Sequence, residues 1–201
     1  MKNLTLISQM IATIAILLCT ASASFAAGHG DVWTLNKEQS TINFVSVKKG
    51  SIGEVHSFGD FSGVIDHDKA SISIQTSSVD MLIPIRNERA LKFLFESATF
   101  PTIDIKSDVT EAIKTAKKGS TSFAEVPASL SLHGITKDVI LNVSITRNGK
   151  NTLTVSSAKP VMIKAADYNM EAGIAKLGEL AGNIPVVTSV PVNFVMTFNK
   201  K

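Results

Sequence analysis

Three observations predict an all-β chain, an antiparallel barrel or sandwich of about eight strands with two short helices. Apolar and polar residues alternate with period two along most of the chain. Short turn motifs separate the alternating runs, and only two stretches carry apolar residues at helical spacing. With 201 residues, 44% hydrophobic and 18% charged, the chain has enough apolar matter for a core and is too apolar to be disordered.

The elements follow in chain order. Ser40-Thr41-Ile42-Asn43-Phe44-Val45 places Ile42 and Phe44 on one face. Ser71-Ile72-Ser73-Ile74-Gln75 and Thr102-Ile103-Asp104-Ile105-Lys106 alternate strictly, as does Ser129-Leu130-Ser131-Leu132-His133. From Asp138 to Thr146, Val139, Leu141, Val143 and Ile145 share a face. Val190, Val192, Phe194, Met196 and Phe198 do the same near the C-terminus. One dry and one wet face is the signature of antiparallel strands. Lys49-Gly50-Ser51, His67-Asp68-Lys69, Lys118-Gly119-Ser120 and Asn148-Gly149-Lys150 read as loops or hairpin turns. Asn87 to Glu96 carries Leu91, Leu94 and Phe95 at helical spacing, closed by Pro101. Glu171 to Leu180 is the second helix, weakened by Gly173 and Gly178.

Residues 1–26 read as a secretory signal peptide. Met1 and Lys2 carry positive charge, Ile11 to Leu18 are apolar, and Ala21 to Ala26 are mostly small. The apolar part is too short for a stable anchor, so no transmembrane segment is expected in the mature chain. Cleavage after Ala26 fits the small-x-small pattern of Ser24 and Ala26, and cleavage after Ala23 is the alternative. Leu18 before Cys19 argues against a lipid-modified cysteine. The remaining residues, 27–201, form one expected domain without cysteine, periplasmic or secreted, that needs no disulfide.

Several functions are disfavoured by what the chain carries. Lys and Arg total 20 against 17 Asp and Glu, and the densest basic group, Lys114, Lys117 and Lys118, reads as a solvated loop. Nucleic-acid binding needs a clustered basic face, so none is expected. Gly59-Asp60-Phe61-Ser62-Gly63 has its serine one place late for a nucleophile elbow. Asp66/Asp68 and Glu88/Glu96 are carboxylate pairs explained by solvated positions. His67 between two aspartates is a poor metal site, because adjacent residues on a turn rarely converge on one ion. His133 reads as tying down a turn, with a similarly structural role for His56. Only His29 offers a metal geometry. After cleavage at Ala26 it becomes the third residue, suited to square-planar Cu(II) or Ni(II), although a loose tail is the plainer reading.

Leu130-Ser131-Leu132-His133-Gly134-Ile135-Thr136-Lys137-Asp138-Val139 resembles the L-x-hydrophobic-H-G-V-T-K-x-V signature of YceI-like proteins. Phe61 to Asp66 resembles that family's F-x-G-x-I-x-x-D hairpin, and Ser77 to Asp80 followed by Arg86-Asn87 its S-I-D-T and R-D segment. Phe100-Pro101 and Ala166-Asp167-Tyr168-Asn169-Met170 match two further stretches, so the likeness spans about Trp33 to Phe198. The resemblance implies a lipocalin-like eight-stranded barrel, exported, without catalytic residues or cofactor. It implies a long amphiphile in the apolar interior: a polyisoprenoid, an isoprenoid quinone or a fatty-acid derivative. The chain departs from the family at Gln39-Ser40, at Lys48 where a histidine is common, and at Arg86-Asn87-Glu88-Arg89-Ala90-Leu91. These departures bear on the ligand head more than on the fold.

The candidate ligand-binding residues are therefore of two kinds. Ile42, Phe44, Ile74, Ile105, Leu132, Leu141, Phe194 and Met196 face inward, where they either line a channel or fill it. Phe93 and Phe95 are candidates for a lid over the mouth, with Arg86, Asn87 and Asp80 meeting a polar head. The rival readings are a filled structural barrel and a lipid-acting enzyme. A homodimer is left open.

Overall fold

The structure, a computed structural model, describes residues 32–200. The signal-peptide reading of residues 1–26, Cys19 and the His29 metal site lie outside the described residues. Eleven strands form one antiparallel sheet: β1 (Trp33–Lys48), β2 (Ile52–Phe58), β3 (Phe61–Asp66), β4 (Lys69–Gln75), β5 (Val79–Asp80), β6 (Thr102–Asp108), β7 (Thr121–Leu132), β8 (Ile135–Asn148), β9 (Thr152–Ser157), β10 (Val161–Lys164) and β11 (Ser189–Lys200). Eight of them close on themselves in the order β1-β3-β4-β6-β7-β8-β9-β11, with β11 pairing back onto β1. Closure of these eight strands settles barrel against sandwich and leaves sheet edges on the appended β2, β5 and β10.

β1 and β11 are longer than their neighbours because each serves two structures. Trp33 to Asn36 pairs with Thr197 to Lys200, and Thr41 to Phe44 pairs with Val192 to Val195, so Lys37 to Ser40 bulge opposite Met196. The buried Ser40 pins the bulge. Its hydroxyl donates to the Asn36 carbonyl at 2.6 Å and accepts the Thr197 N–H at 3.0 Å. Past the bulge, β1 leaves β3 and pairs with β2 from Asn43 to Lys48. β5 adds to β2, and β10 adds to β11 on the other side. These strands extend the barrel wall beyond one end.

Two helices pack together at that end, α1 (Pro84–Phe93) and α3 (Glu171–Leu180). α1 begins before Asn87 because Pro84 takes a first-turn position, where its missing N–H costs nothing. Leu94 and Phe95 accordingly fall beyond the helix, in the turn that leads to Pro101. A third helix, α2 (Thr110–Thr115), was not expected from the sequence. Asp108 starts it by accepting the Thr110 N–H at 3.0 Å, and Ala112 and Ala116 are buried against the opposite end of the barrel. Lys114 thus belongs to α2, ion-paired with Glu111 at 2.8 Å, rather than to a loop. At the same end Trp33 is buried beneath the Arg147 guanidinium, 5.5 Å from the ring centroid.

The His133-Gly134 pair is a two-residue hairpin turn joining β7 to β8, both residues at positive φ (51° and 75°). His133 Nδ1 lies 3.1 Å from the Tyr168 carbonyl, and its ring packs against Phe100 with centroids 4.4 Å apart and planes tilted by 54°. A Cβ at Gly134 would meet Phe100 Cε1 at 2.7 Å, which is why glycine stands there.

Candidate functional site: an apolar cavity with a charged mouth

The inward faces of the strands do not meet at the barrel axis. They enclose a cavity of about 570 Å³ whose wall is almost wholly apolar. Val139, Leu141, Val143 and Ile145 of β8 all lie on it, as do Val190, Val192, Phe194, Met196 and Phe198 of β11. The period-two faces are therefore cavity wall. Val109, Ala112 and Ile113 close the α2 end. At the other end the wall is made by Met81, Ile83 and Ile85, by Leu94 and Phe95, and by Ile174 and Leu177 of α3.

Of the residues singled out in the sequence, Ile42, Phe44, Ile74, Ile105, Leu132, Leu141, Phe194 and Met196 lie on the cavity. So do Phe95 and Arg86. Phe95 is buried and meets Phe58 edge-on at 5.6 Å. Asp80, Asn87 and Phe93 stand off the cavity, for local reasons. Asp80 Oδ1 accepts the Leu82 N–H at 2.8 Å and Asn87 Oδ1 accepts the Met81 N–H at 2.7 Å. Both thereby brace the tight loop in which Leu82 takes a φ of 69°. Phe93 lies under the Lys92 ammonium, 5.1 Å from the ring centroid, and it is Leu94 and Phe95 that line the cavity here.

The mouth is charged. Lys48 Nζ donates to Glu54 Oε1 at 2.7 Å, and Arg86 Nη1 donates to both Glu54 oxygens at 3.2 Å. All three are largely shielded from water, their side chains between 22% and 34% exposed. The Lys48 hydrogen bond holds the Glu54 carboxyl below its ordinary range. Desolvation opposes that shift and Arg86 adds to it. Arg89 also lines the cavity and donates to the Leu180 carbonyl at 3.0 Å, tying α1 to α3. Two residues deeper on β2, His56 is almost fully buried. It lies 2.8 Å from Ser46 Oγ through Nε2 and 5.1 Å from the Phe44 ring, and its Nδ1 has no partner among the described residues. Burial pushes its imidazole below the ordinary value, against the pull of Glu54.

Lys48 and Arg89 stood out in the sequence only as departures bearing on the ligand head, whereas Glu54 was not legible as a site residue, and β2 explains why. Its outward Val55 is 58% exposed while Glu54 and His56 point inward, so its polarity is inverted relative to the other strands. A reading that places apolar residues inside passes over such a strand. Among the described residues no group of three or more His, Cys, Asp or Glu is placed to hold a metal, and no helix is long and apolar enough to cross a membrane.

Comparison with known proteins agrees with this architecture. A polyisoprenoid binding domain from Saccharophagus degradans, implicated in plant cell wall breakdown, superposes with a TM-score of 0.80 at 34% identity. The match covers 84% of this chain and 98% of that one. BcnA of Burkholderia cenocepacia shares the fold at a TM-score of 0.63 and 20% identity, over 81% of this chain and 98% of that one. Comparison with curated proteins gives no match. The family model described as the YceI-like domain matches residues 33–198, nearly all of the described chain, and on that match and the Saccharophagus likeness the chain belongs to the YceI-like family.

Proposed function

We propose that this protein is an exported carrier or store that sequesters one long-chain amphiphile in its barrel. The candidates are a polyisoprenoid, an isoprenoid quinone or a fatty-acid derivative. Residues 1–26 direct it to the periplasm or out of the cell. The observation that carries the reading is the cavity itself, 570 Å³ of apolar wall with charge only near one end. A packed structural barrel would have filled that space, because protein interiors reach crystal-like density. The tail lies along the axis, and each methylene taken from water contributes about 0.8 kcal/mol. The head rests near Arg86 at the mouth. Sequestration, rather than catalysis, is the whole of the mechanism. The family membership and the polyisoprenoid-binding relative support the same ligand class.

Native mass spectrometry of protein purified without detergent tests this directly. The expected result is a stoichiometric adduct of several hundred daltons, released on denaturation as a long-chain lipid. A bare chain that also fails to take up an apolar fluorescent probe would leave the filled-barrel reading standing instead.

A further inference from the structure

We propose that the head of the bound amphiphile is anionic, a phosphate or a carboxylate, and that Lys48, Arg86 and Arg89 recognise it. The inference rests on the amphiphile reading and specifies the ligand it takes. Among the described residues, the charged side chains lining the cavity are these three cations and a single anion, Glu54. Glu54 already shares its two oxygens between Lys48 and Arg86, while Arg89 meets only a neutral carbonyl, that of Leu180. Asp80 stands nearby on β5 but is exposed, off the cavity, and engaged by the Leu82 N–H. His56, two residues along β2 from Glu54, is buried and does not line the cavity, and burial shifts its imidazole toward the neutral form. The mouth is thus a site of excess positive charge set against an apolar wall, where uncompensated charge is costly and an anion is strongly favoured.

The ligand head must supply the missing charge. An alcohol or quinone head leaves the excess unbalanced, and an ammonium head is repelled. A phosphate or carboxylate accepts from the guanidinium forks in the planar geometry for which arginine is suited. Glu54 competes with that head for the same donors, so it weakens the binding it borders.

The test is calorimetric titration of the delipidated protein at low salt with decyl phosphate, decanol, decyltrimethylammonium and inorganic phosphate. Decyl phosphate is expected to bind about tenfold or more tightly than decanol, and decyltrimethylammonium more weakly than either. The phosphate preference should shrink in Lys48→Gln and Arg86→Gln and widen in Glu54→Gln. That gain is an outcome that misfolding could not imitate. Equal affinity for decyl phosphate and decanol would overturn the anionic head while leaving the amphiphile reading intact. Failure of every decyl compound to bind would overturn both. Inorganic phosphate should give no heat at concentrations where decyl phosphate saturates; equal binding would mean an anion site unconnected to any tail, and would also sink the proposal.

Discussion

His56 shows how much of the site's behaviour hangs on single side chains. It is buried in the wall, hydrogen-bonded among the described residues only through Nε2, and burial lowers its pKa from the ordinary 6.5. The unfolded chain therefore takes up a proton before the folded one as pH falls through about 6.5. Stability from this residue is complete above that value and is lost progressively below it. We expect the melting temperature to fall between about pH 7.5 and about pH 5, and the fall to be visibly smaller in His56→Gln, which keeps a polar partner for Ser46 but does not titrate. Parallel melting curves for the two proteins across that range would show that His56 does not couple protonation to folding. The one-dimensional pattern ties His133 to a turn through the adjacent Gly134, and the fold places it there, 3.1 Å from the Tyr168 carbonyl. For His56 it gave no sign of burial, which only the fold supplies.

At the scale of elements, most barrel strands were legible because each has one wet face, and alternation reports that directly. The ends of the barrel were not. β2 carries its polar residues inward, β5 and β10 are too short for a pattern, and α2 owes its place to two buried alanines that no periodicity singles out. The glycines of α3 are the instructive case. As sequence they weaken a helix; as structure they let it close down. A Cβ on Gly173 would lie 2.4 Å from the Phe93 carbonyl oxygen and 2.9 Å from Leu94 Cα, and one on Gly178 would lie 2.5 Å from the Ile184 carbonyl oxygen. Helix propensity alone makes Gly173→Ala stabilising by up to about 1 kcal/mol. Close packing against backbone makes it destabilising by about 1–3 kcal/mol, since neither backbone can yield cheaply. We expect the second sign in chemical denaturation. Because the contact joins α3 to the segment bearing Leu94 and Phe95, the variant should also exchange its bound amphiphile faster. A stabilised Gly173→Ala would mean that the helices do not meet as closely as this.

The whole molecule poses a question that periodicity could not answer, whether the inward residues fill the barrel or line it. Ile105 and Leu141 have the same pattern in either case, since alternation assigns a side chain to a face and says nothing of the distance to the opposite wall. Only closure of eight strands with a bulged β1 and an extended rim sets that distance. The two possibilities respond oppositely to larger side chains. In a packed core, Ile105→Phe with Leu141→Phe would force neighbours off their rotamers, costing about 1–3 kcal/mol for each site. In a barrel with 570 Å³ of apolar space, both rings enter that space and bury further apolar surface, so the apo protein should lose no stability and should gain some. The same rings occupy the path of the tail, so amphiphile uptake should drop steeply while the circular dichroism of a β protein is kept. Stability and binding are thus expected to move apart. A ligand bound to the folded state alone stabilises it by an amount that grows with the logarithm of its free concentration over Kd, so on the amphiphile reading the lipid-loaded wild type should melt above its delipidated form, and the double variant should show no such gap. A double variant that is destabilised yet still retains lipid would place the ligand outside the barrel and return Ile105 and Leu141 to the role of ordinary core.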